Sequence, residues 1–190
     1  YINTISTIIM CVIWGLLGDK LRDKLQTAAD KKWVSDYYQI NEVIKGLTHN
    51  LAPDISRTEL IQRVADNLQG KVECKEYSLL IANSDDQGEV IDYYFQSAKS
   101  EEAQKIKSED KIISYFSHRP KPCLYKHLEE ASLKSAIQEK LNISKYSVFL
   151  PLHSAEALEG VIILGQRKSE VRYSKKDLDL FESIINTVFA

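Results

Sequence analysis

The last forty-odd residues constrain the fold of this chain more than any other stretch. Val148 to Leu152 and Gly160 to Gly165 are short apolar runs rich in strand formers, separated by a polar, alanine-rich segment. This pattern predicts a β-hairpin. Ser174 and Asp177 then have the spacing of a helix N-cap and its reciprocal partner. The apolar residues that follow at helical spacing predict a final helix with one covered face: Leu178, Phe181, Ile184, Ile185 and Val188.

Residues 56–95 also predict a capped helix and a hairpin, here with the helix first. Ser56 with Glu59 predicts a capped helix that Gly70 closes. Tyr77 to Ala82 and Glu89 to Phe95 predict a second hairpin, joined by the turn sequence NSDDQG. Strands grouped as hairpins with helices outside them predict an α+β domain built on an antiparallel sheet, over residues 53–190.

The middle of this domain is less regular. The highly charged stretch from Ser97 to Lys111 predicts an exposed connection or helix. The apolar residues of the 112–116 stretch predict a short helix, stopped by Pro120 and Pro122. Leu124 to Leu141 has a largely helical composition.

The chain begins with an uncharged segment. Residues 1–18 carry no charge, and acidic and basic residues start abruptly at Asp19. This is the lower length limit for a helix that crosses a bilayer. We therefore expect the end of a transmembrane helix before Gly18, with a helix buried in a dimer or against the main domain as the alternative. Because the chain starts at Tyr1 and its only methionine is Met10, we expect it to be a piece of a longer protein.

Residues 19–52 predict a long N-terminal helix. Apolar residues step by four, three, four and three, the spacing of a coiled-coil seam: Trp33, Tyr37, Ile40, Ile44 and Leu47. Leu25 and Ala28 break the phase, as a stutter does. We interpret the segment as a dimeric stalk, with an amphipathic helix packed on its own domain as the alternative. Pro53 marks the domain boundary.

Charge and cysteine content exclude some classes of function. The net charge is -2, with 25 basic and 27 acidic residues mixed along the chain, so no cationic field favours a nucleic-acid partner. Three widely spaced cysteines fit reduced thiols rather than a disulfide framework. His118, Cys123 and His127 fall within ten residues, but they lack the paired spacing of a zinc site, so we expect no metal. The chain has no glycine-rich phosphate loop and no nucleophile elbow, so we expect no catalysis within it.

The C-terminal pattern resembles the end of a GAF domain. It consists of the Pro151-Leu152 strand end, Gly160 leading into an apolar strand, and Tyr173-Ser174 followed by Asp177-Leu178 opening a terminal helix. The resemblance implies a central antiparallel sheet, the first and last helices bundled on one face, and a ligand pocket on the other. It covers about residues 56–190.

The known ligand classes of GAF domains do not match these residues. Bilin-binding members attach the pigment through a cysteine usually followed by histidine, whereas Leu124 follows Cys123 and Lys75 follows Cys74. The Asn-Lys-Phe signature of cyclic-nucleotide binding is absent, and the cysteines are not clustered as in methionine sulfoxide reductases. We therefore expect no known cofactor, and either an unidentified small ligand or none.

Residues on or beside the predicted strands, mainly aromatic, are the candidate ligand-binding set, because tyrosine offers ring area and a hydroxyl. The alternative is that tyrosine simply favours strands. Alternation places Tyr77, Leu79 and Ile81 on one sheet face and Ser78 and Leu80 on the other. The candidate ligand residues are Tyr77, Leu79, Tyr94, Tyr125 and Phe149.

A membrane helix, a stalk and a GAF-like domain resemble the front half of a sensor histidine kinase. The resemblance implies a cytoplasmic sensory domain of an inner-membrane, two-component signal-transduction protein. It also implies a homodimer through the N- and C-terminal helices and a catalytic core outside this chain. The alternatives are a ligand-free dimerisation spacer in a sensor kinase or diguanylate cyclase, and a small stand-alone enzyme of related fold.

Overall fold

The structure is a computed structural model that describes residues 55–85, 89–97, 103–154 and 157–189. The predicted membrane segment, residues 1–18, and the predicted stalk, residues 19–52, lie outside these ranges and stay predictions. Within the described ranges, no helix combines the length and the apolar character that crossing a bilayer requires.

The first described helix, α1, spans Arg57–Val72. The Ser56 hydroxyl accepts a hydrogen bond from the Glu59 N–H at 3.2 Å, which confirms the predicted N-cap. The predicted end at Gly70 is wrong, because the helix continues to Val72. Glu73 ends it with a left-handed φ of 53°, and its N–H bonds to the Gln69 carbonyl. Glycine is therefore tolerated here inside the last turn instead of ending it.

A six-stranded sheet forms the centre of the described chain, in the order β3-β2-β1-β6-β5-β4. Every neighbouring pair is antiparallel, which confirms the α+β class and both predicted hairpins. The strands are β1 Tyr77–Ser84, β2 Val90–Ser97, β3 Gln104–Lys107, β4 Cys123–Leu124, β5 Val148–His153 and β6 Leu158–Leu164.

The two hairpins meet where β1 pairs with β6, at the middle of the sheet. Gly160 of β6 lies between Ile81 of β1 and Leu152 of β5. A Cβ at Gly160 would lie 2.5 Å from the Leu80 carbonyl oxygen, closer than van der Waals contact allows. The close approach of these central strands therefore requires glycine at this position.

Both edges of the sheet are short strands. The exposed connection or helix predicted for Ser97 to Lys111 is wrong in part, because residues 104–107 form β3. Its sequence alternates exposed lysines, Lys105 and Lys107, around the buried Ile106, which is a strand period hidden in a charged segment. At the opposite edge, β4 is only two residues long.

Two helices, α2 Lys111–Ser117 and α3 Ala131–Leu141, cover one face of the sheet. The α2 helix matches the predicted short apolar helix. The helical prediction for Leu124 to Leu141 holds only from Ala131, since β4 and a 3₁₀ turn, Tyr125–His127, come first. Composition alone favours a helix that includes Leu124, but this residue pairs with β5 at the edge of the sheet and therefore adopts a strand conformation.

A packed hydrophobic cluster fills the space between this face and α2 and α3. The Phe116 ring of α2 lies 5.1 Å from the Phe149 ring of β5, measured between centroids, and both are fully buried. The other large members are Leu80, Tyr93, Phe95, Ile106, Ile112, Leu128, Leu133, Ile137, Val161 and Ile163.

Helices α1 and α4, the latter spanning Lys175–Phe189, cover the opposite face. The α1 helix packs on β1 and β6, and α4 packs on the neighbouring β5. The Tyr77 hydroxyl of β1 donates to Asp66 of α1 at 2.6 Å. Phe181, Ile184 and Ile185 are the buried residues of α4, in agreement with the predicted apolar face.

Candidate functional site

A cleft of about 390 Å³ lies at one end of the sheet. Val148 at the start of β5 pairs with Leu164 at the end of β6, so the loop before β5 and the loop after β6 meet there. The 3₁₀ turn and α3 complete the walls. The lining residues are Leu124, Tyr125, Lys126, Lys134, Lys145, Tyr146, Ser147, Gln166, Arg167, Glu170, Val171, Arg172 and Tyr173.

The cleft is strongly basic in a protein whose net charge is negative. Five lysine or arginine side chains line it, against the single carboxylate of Glu170. Glu170 in turn pairs with Lys75, outside the lining, at 3.5 Å. Four of the cations form no salt bridge with any carboxylate in the described parts of the chain: Lys126, Lys134, Lys145 and Arg172.

Aromatic rings organise the basic side chains of the cleft. Lys145 Nζ lies 5.3 Å from the centroid of the Tyr146 ring, and the Arg172 guanidinium lies 6.0 Å from it. The Arg167 guanidinium lies 4.9 Å from the Tyr173 ring. Such contacts hold a cation at a ring face without neutralising its charge. The cleft therefore offers positive charge next to flat apolar surface.

The loop between β6 and α4 is fixed to the helix that follows it. Arg167 of the loop pairs with Asp177 in the first turn of α4 at 2.6 Å. Asp177 also accepts hydrogen bonds from the Ser174 N–H at 2.6 Å and from its hydroxyl at 2.7 Å. The Ser174 hydroxyl accepts from the Asp177 N–H at 3.3 Å, which completes the predicted capping box. One carboxylate thus joins the cleft wall to the start of α4.

The pKa of Asp177 is lowered. Burial acts to raise it, but the hydrogen bonds from Ser174 and the charge of Arg167 outweigh burial. The ionised carboxylate therefore stabilises the folded state.

This lowered pKa predicts a defined pH dependence of stability. A carboxyl group with a depressed folded pKa contributes stability above its unfolded pKa, about 4, and that contribution is lost as the pH falls through the folded pKa. Asp177→Asn is therefore expected to lower the free energy of unfolding by roughly 1–2 kcal/mol at pH 7 and by less at pH 3, which lies below the unfolded pKa. Urea unfolding at the two pH values measures the difference.

Asp179→Asn is the matched control, since Asp179 is an exposed carboxylate in the same helix. It is expected to change the free energy of unfolding by less than about 0.5 kcal/mol at either pH. An Asp177→Asn variant whose deficit is equal at pH 3 and pH 7 would contradict the assigned role of the carboxylate.

Tyr173 holds the same loop against the sheet and α4. Its hydroxyl donates to the Gly165 carbonyl at 2.8 Å, and its ring lies 6.0 Å from the Phe181 ring, between centroids. Burial is the main cause that raises the pKa of the Tyr173 hydroxyl, so it remains a hydrogen-bond donor at neutral pH. Tyr173 therefore has a structural role and stabilises the wall of the cleft.

The structure separates the five candidate ligand residues. Tyr125 lines the cleft, where its hydroxyl donates to the Lys134 carbonyl at 3.4 Å. Tyr77 and Leu79 face the α1 side of the sheet, as does Tyr94, which pairs with Ile81 and is 39% exposed. Phe149 faces the other side and is fully buried in the cluster. The strand alternation predicted for β1 is observed, but it does not bring the five together.

The histidines and cysteines of the middle segment remain apart from this site. His118 shares a hydrogen bond with the Ser114 carbonyl at 2.8 Å, and Cys123 lies in β4 instead of sharing a helix face with His127. Burial raises the pKa of the Cys123 thiol to about 11, so the thiol stays protonated at neutral pH. No group of three metal-ligating side chains occurs in the described ranges.

His153 lies beside the loop of the β5–β6 hairpin. It is the last residue of β5 and is half-buried. Neither ring nitrogen has a hydrogen-bond partner among the described residues. The strand extends one residue beyond the predicted apolar run, with a register shift between Leu152 and His153.

Three of the five basic residues of the cleft lie in loops, where no helix or strand pattern marks them. Lys145 and Tyr146 precede β5, and Arg167 and Arg172 follow β6. In a hairpin these two positions are neighbours, so the predicted pairing of the strands already places two basic loops side by side. That was the signal that could have identified the site.

Comparison with known proteins identifies the fold. No protein-family model matches the chain, and no curated protein does either. Among solved structures, the GAF domain of a phosphoenolpyruvate-protein phosphotransferase from Coxiella burnetii is 16% identical, with a TM-score of 0.53, over 80% of this chain and 89% of that one. Residues 122 to 287 of a methyl-accepting chemotaxis protein are 13% identical, with a TM-score of 0.51, over 79% and 93%.

These similarities and the sheet described above show that the chain has the α+β fold of a GAF domain. At such identities the similarity extends to the fold alone.

Proposed function

We propose that this chain is a sensory or regulatory domain of a signal-transduction protein and has no catalytic activity of its own. The observation that carries the proposal is the GAF fold with α1 and α4 together on one sheet face. Helices that enter and leave a domain on the same sheet face can transmit a change in their packing on that face along the chain. The similar chemotaxis protein, by its description, belongs to a signalling system.

The larger protein that we propose is a membrane-anchored, two-component sensor histidine kinase. The uncharged residues 1–18 supply the membrane segment, and the heptad spacing after Trp33 supplies the stalk. In this arrangement the domain lies on the cytoplasmic side of the inner membrane. The coding sequence on either side tests this directly, because an upstream membrane segment and a downstream kinase core are expected. A reading frame that ends at Ala190 would contradict it.

A homodimer through the N- and C-terminal helices is part of this proposal. Leu180 of α4 and Val188, one turn beyond the buried Ile184 and Ile185, keep part of their surface in solvent. Apolar side chains that stay partly in solvent on a helix surface are suited to a partner helix.

Association of the chain should therefore depend on the α4 surface. Leu180→Glu is expected to weaken dimerisation by at least about tenfold, because it places a charge in an apolar contact. Sedimentation equilibrium of the full 190-residue chain measures the dissociation constant, and thermal unfolding verifies that the variant is folded. Asn186→Glu introduces the same charge at an exposed position on the other side of α4 and should leave the constant unchanged. A wild-type chain that stays monomeric at all concentrations would refute the dimer.

The alternative function, a ligand-free spacer that joins two helical segments, has one specific observation in its favour. The sheet face opposite α1 and α4 is filled by packed side chains, Phe116 and Phe149 among them. Side chains that pack closely on one another reduce the space for a ligand between sheet and helices. The two functions differ in whether the cleft at the end of the sheet is used.

A further inference from the structure

We propose that the basic cleft between the 3₁₀ turn and the β6–α4 loop binds a small organic anion carrying phosphate or carboxylate groups. We further propose that occupancy stabilises the start of α4. The biological role of this binding rests on the proposed sensory function, whereas the binding itself is argued from the cleft alone.

The unpaired charge of the cleft is the first argument. Lys126, Lys134, Lys145 and Arg172 line one cleft of about 390 Å³, without a carboxylate partner in the described segments. Like charges held around one concave surface repel, and the concavity strengthens their field. An anion that enters converts this repulsion into attraction, and lysine and arginine donors form charge-assisted hydrogen bonds with phosphate and carboxylate oxygens.

The remaining lining favours an organic ligand over a bare inorganic ion. The volume lies in the range of small-molecule sites. Leu124 and Val171 contribute apolar walls, and the Tyr146 ring presents a flat surface between two cations. A ligand with a compact apolar or ring portion and an anionic group satisfies both kinds of surface.

The β6–α4 loop connects the cleft to α4, so ligand binding in the cleft can affect this helix. Six of the thirteen lining residues belong to the β6–α4 loop. Arg167 of this loop pairs with Asp177, which caps α4 together with Ser174. The Arg167 Nε is buried and has no hydrogen-bond partner among the described residues, so the side chain retains a donor. A ligand that binds one arrangement of the loop more tightly than another shifts the population of α4 orientations by that difference.

Calorimetric titration of the full 190-residue chain tests the binding step. Sodium pyrophosphate and sodium citrate are the two probes, one for phosphate and one for carboxylate groups, with sodium chloride maintaining constant ionic strength. Saturable binding by at least one probe is expected. A tighter constant for pyrophosphate would assign phosphate as the recognised group, and the reverse order would assign carboxylate.

Matched variants locate the binding in the cleft. Lys145→Gln combined with Arg172→Gln removes two lining cations and is expected to weaken binding by at least about tenfold. Lys107→Gln combined with Lys111→Gln removes the same charge at β3 and α2, away from the lining residues, and should change the constant by less than about twofold. The absence of saturable binding by both probes, or an equal loss in the two double variants, would overturn the proposal.

Hydrogen exchange separates binding from coupling. With the effective probe bound, amides of the β6–α4 loop and the first turn of α4 are expected to exchange more slowly, while those of α2 are unchanged. Binding without slower exchange in this region would overturn the coupling and leave the cleft as a binding site. The oligomeric state is measured independently, so a failed dimer prediction is distinguishable from a failed anion site.

Discussion

Gly160→Ala is expected to lower the free energy of unfolding by roughly 2–4 kcal/mol, because a methyl group there overlaps backbone that has no room to move. The new Cβ would lie 2.5 Å from the Leu80 carbonyl oxygen. That carbonyl belongs to β1, which is paired on both sides. Relief of the overlap must separate β1 from β6 and weaken their hydrogen bonds. Urea unfolding followed by circular dichroism measures the loss.

Gly70→Ala is the control for this prediction. Gly70 lies inside α1, and a Cβ there would meet no atom within 4 Å. Alanine is expected to stabilise the chain by about 0.5–1 kcal/mol, because it lowers the entropy of the unfolded chain and favours helix. Two glycines replaced by the same residue should thus give effects of opposite sign. A Gly160→Ala chain as stable as wild type would show that β1 and β6 are not in the described register.

Phe149→Ala should produce the second large effect, a loss of roughly 3–5 kcal/mol. Phe149 is fully buried and lies against Phe116, so its removal leaves a cavity between the sheet and α2. Neighbours in β4 and β6 pair with β5 on either side and limit collapse into the cavity. The shift in the urea midpoint measures the loss.

Ile91→Ala provides the comparison at the surface. Ile91 lies in β2 with 56% of its surface exposed, and its truncation should cost less than about 0.5 kcal/mol. Phe149 was also a candidate ligand residue from the sequence. If it contacts a ligand in an open pocket instead of completing a core, Phe149→Ala would abolish ligand binding while leaving stability near that of wild type. That result would contradict the packing described here.

The sequence was sufficient to predict the elements that are marked by a local residue pattern. The hairpin of β5 and β6 is marked by two uninterrupted apolar runs, since its strands are buried on both faces. The caps at Ser56 and Ser174 are local, because each hydroxyl bonds to an N–H three residues away. Features determined within a few residues can be read without knowledge of the tertiary structure.

The two edge strands depend on the tertiary structure and were missed. Residues 104–107 offer a single inward apolar residue, Ile106, and the strand exists because β2 provides a partner. Cys123 and Leu124 precede a helical composition, and they become β4 only through pairing with β5. Short edge strands have little propensity of their own, so their neighbours determine them.

The cleft was missed for a related reason. Its cations are distant in sequence, with Lys126 and Arg172 separated by the whole of α3 and the β5–β6 hairpin. The sequence instead favoured tyrosines on or beside strands, and of the candidates Tyr77, Tyr94 and Tyr125 it is Tyr125 that lines the cleft. Charged residues in loops indicate a binding site only once the strand pairing is known, because the pairing determines which loops are neighbours.

The short edges also restrict how copies of this domain can associate. A sheet grows into fibres or swapped dimers by adding a strand to an exposed border, which requires a long row of free backbone groups. One border here carries lysine on alternate positions, at Lys105 and Lys107, and the other ends after two residues. Self-association by sheet extension is therefore disfavoured at both borders. Contacts between copies are left to helical surfaces, which can separate and re-form without unfolding the sheet.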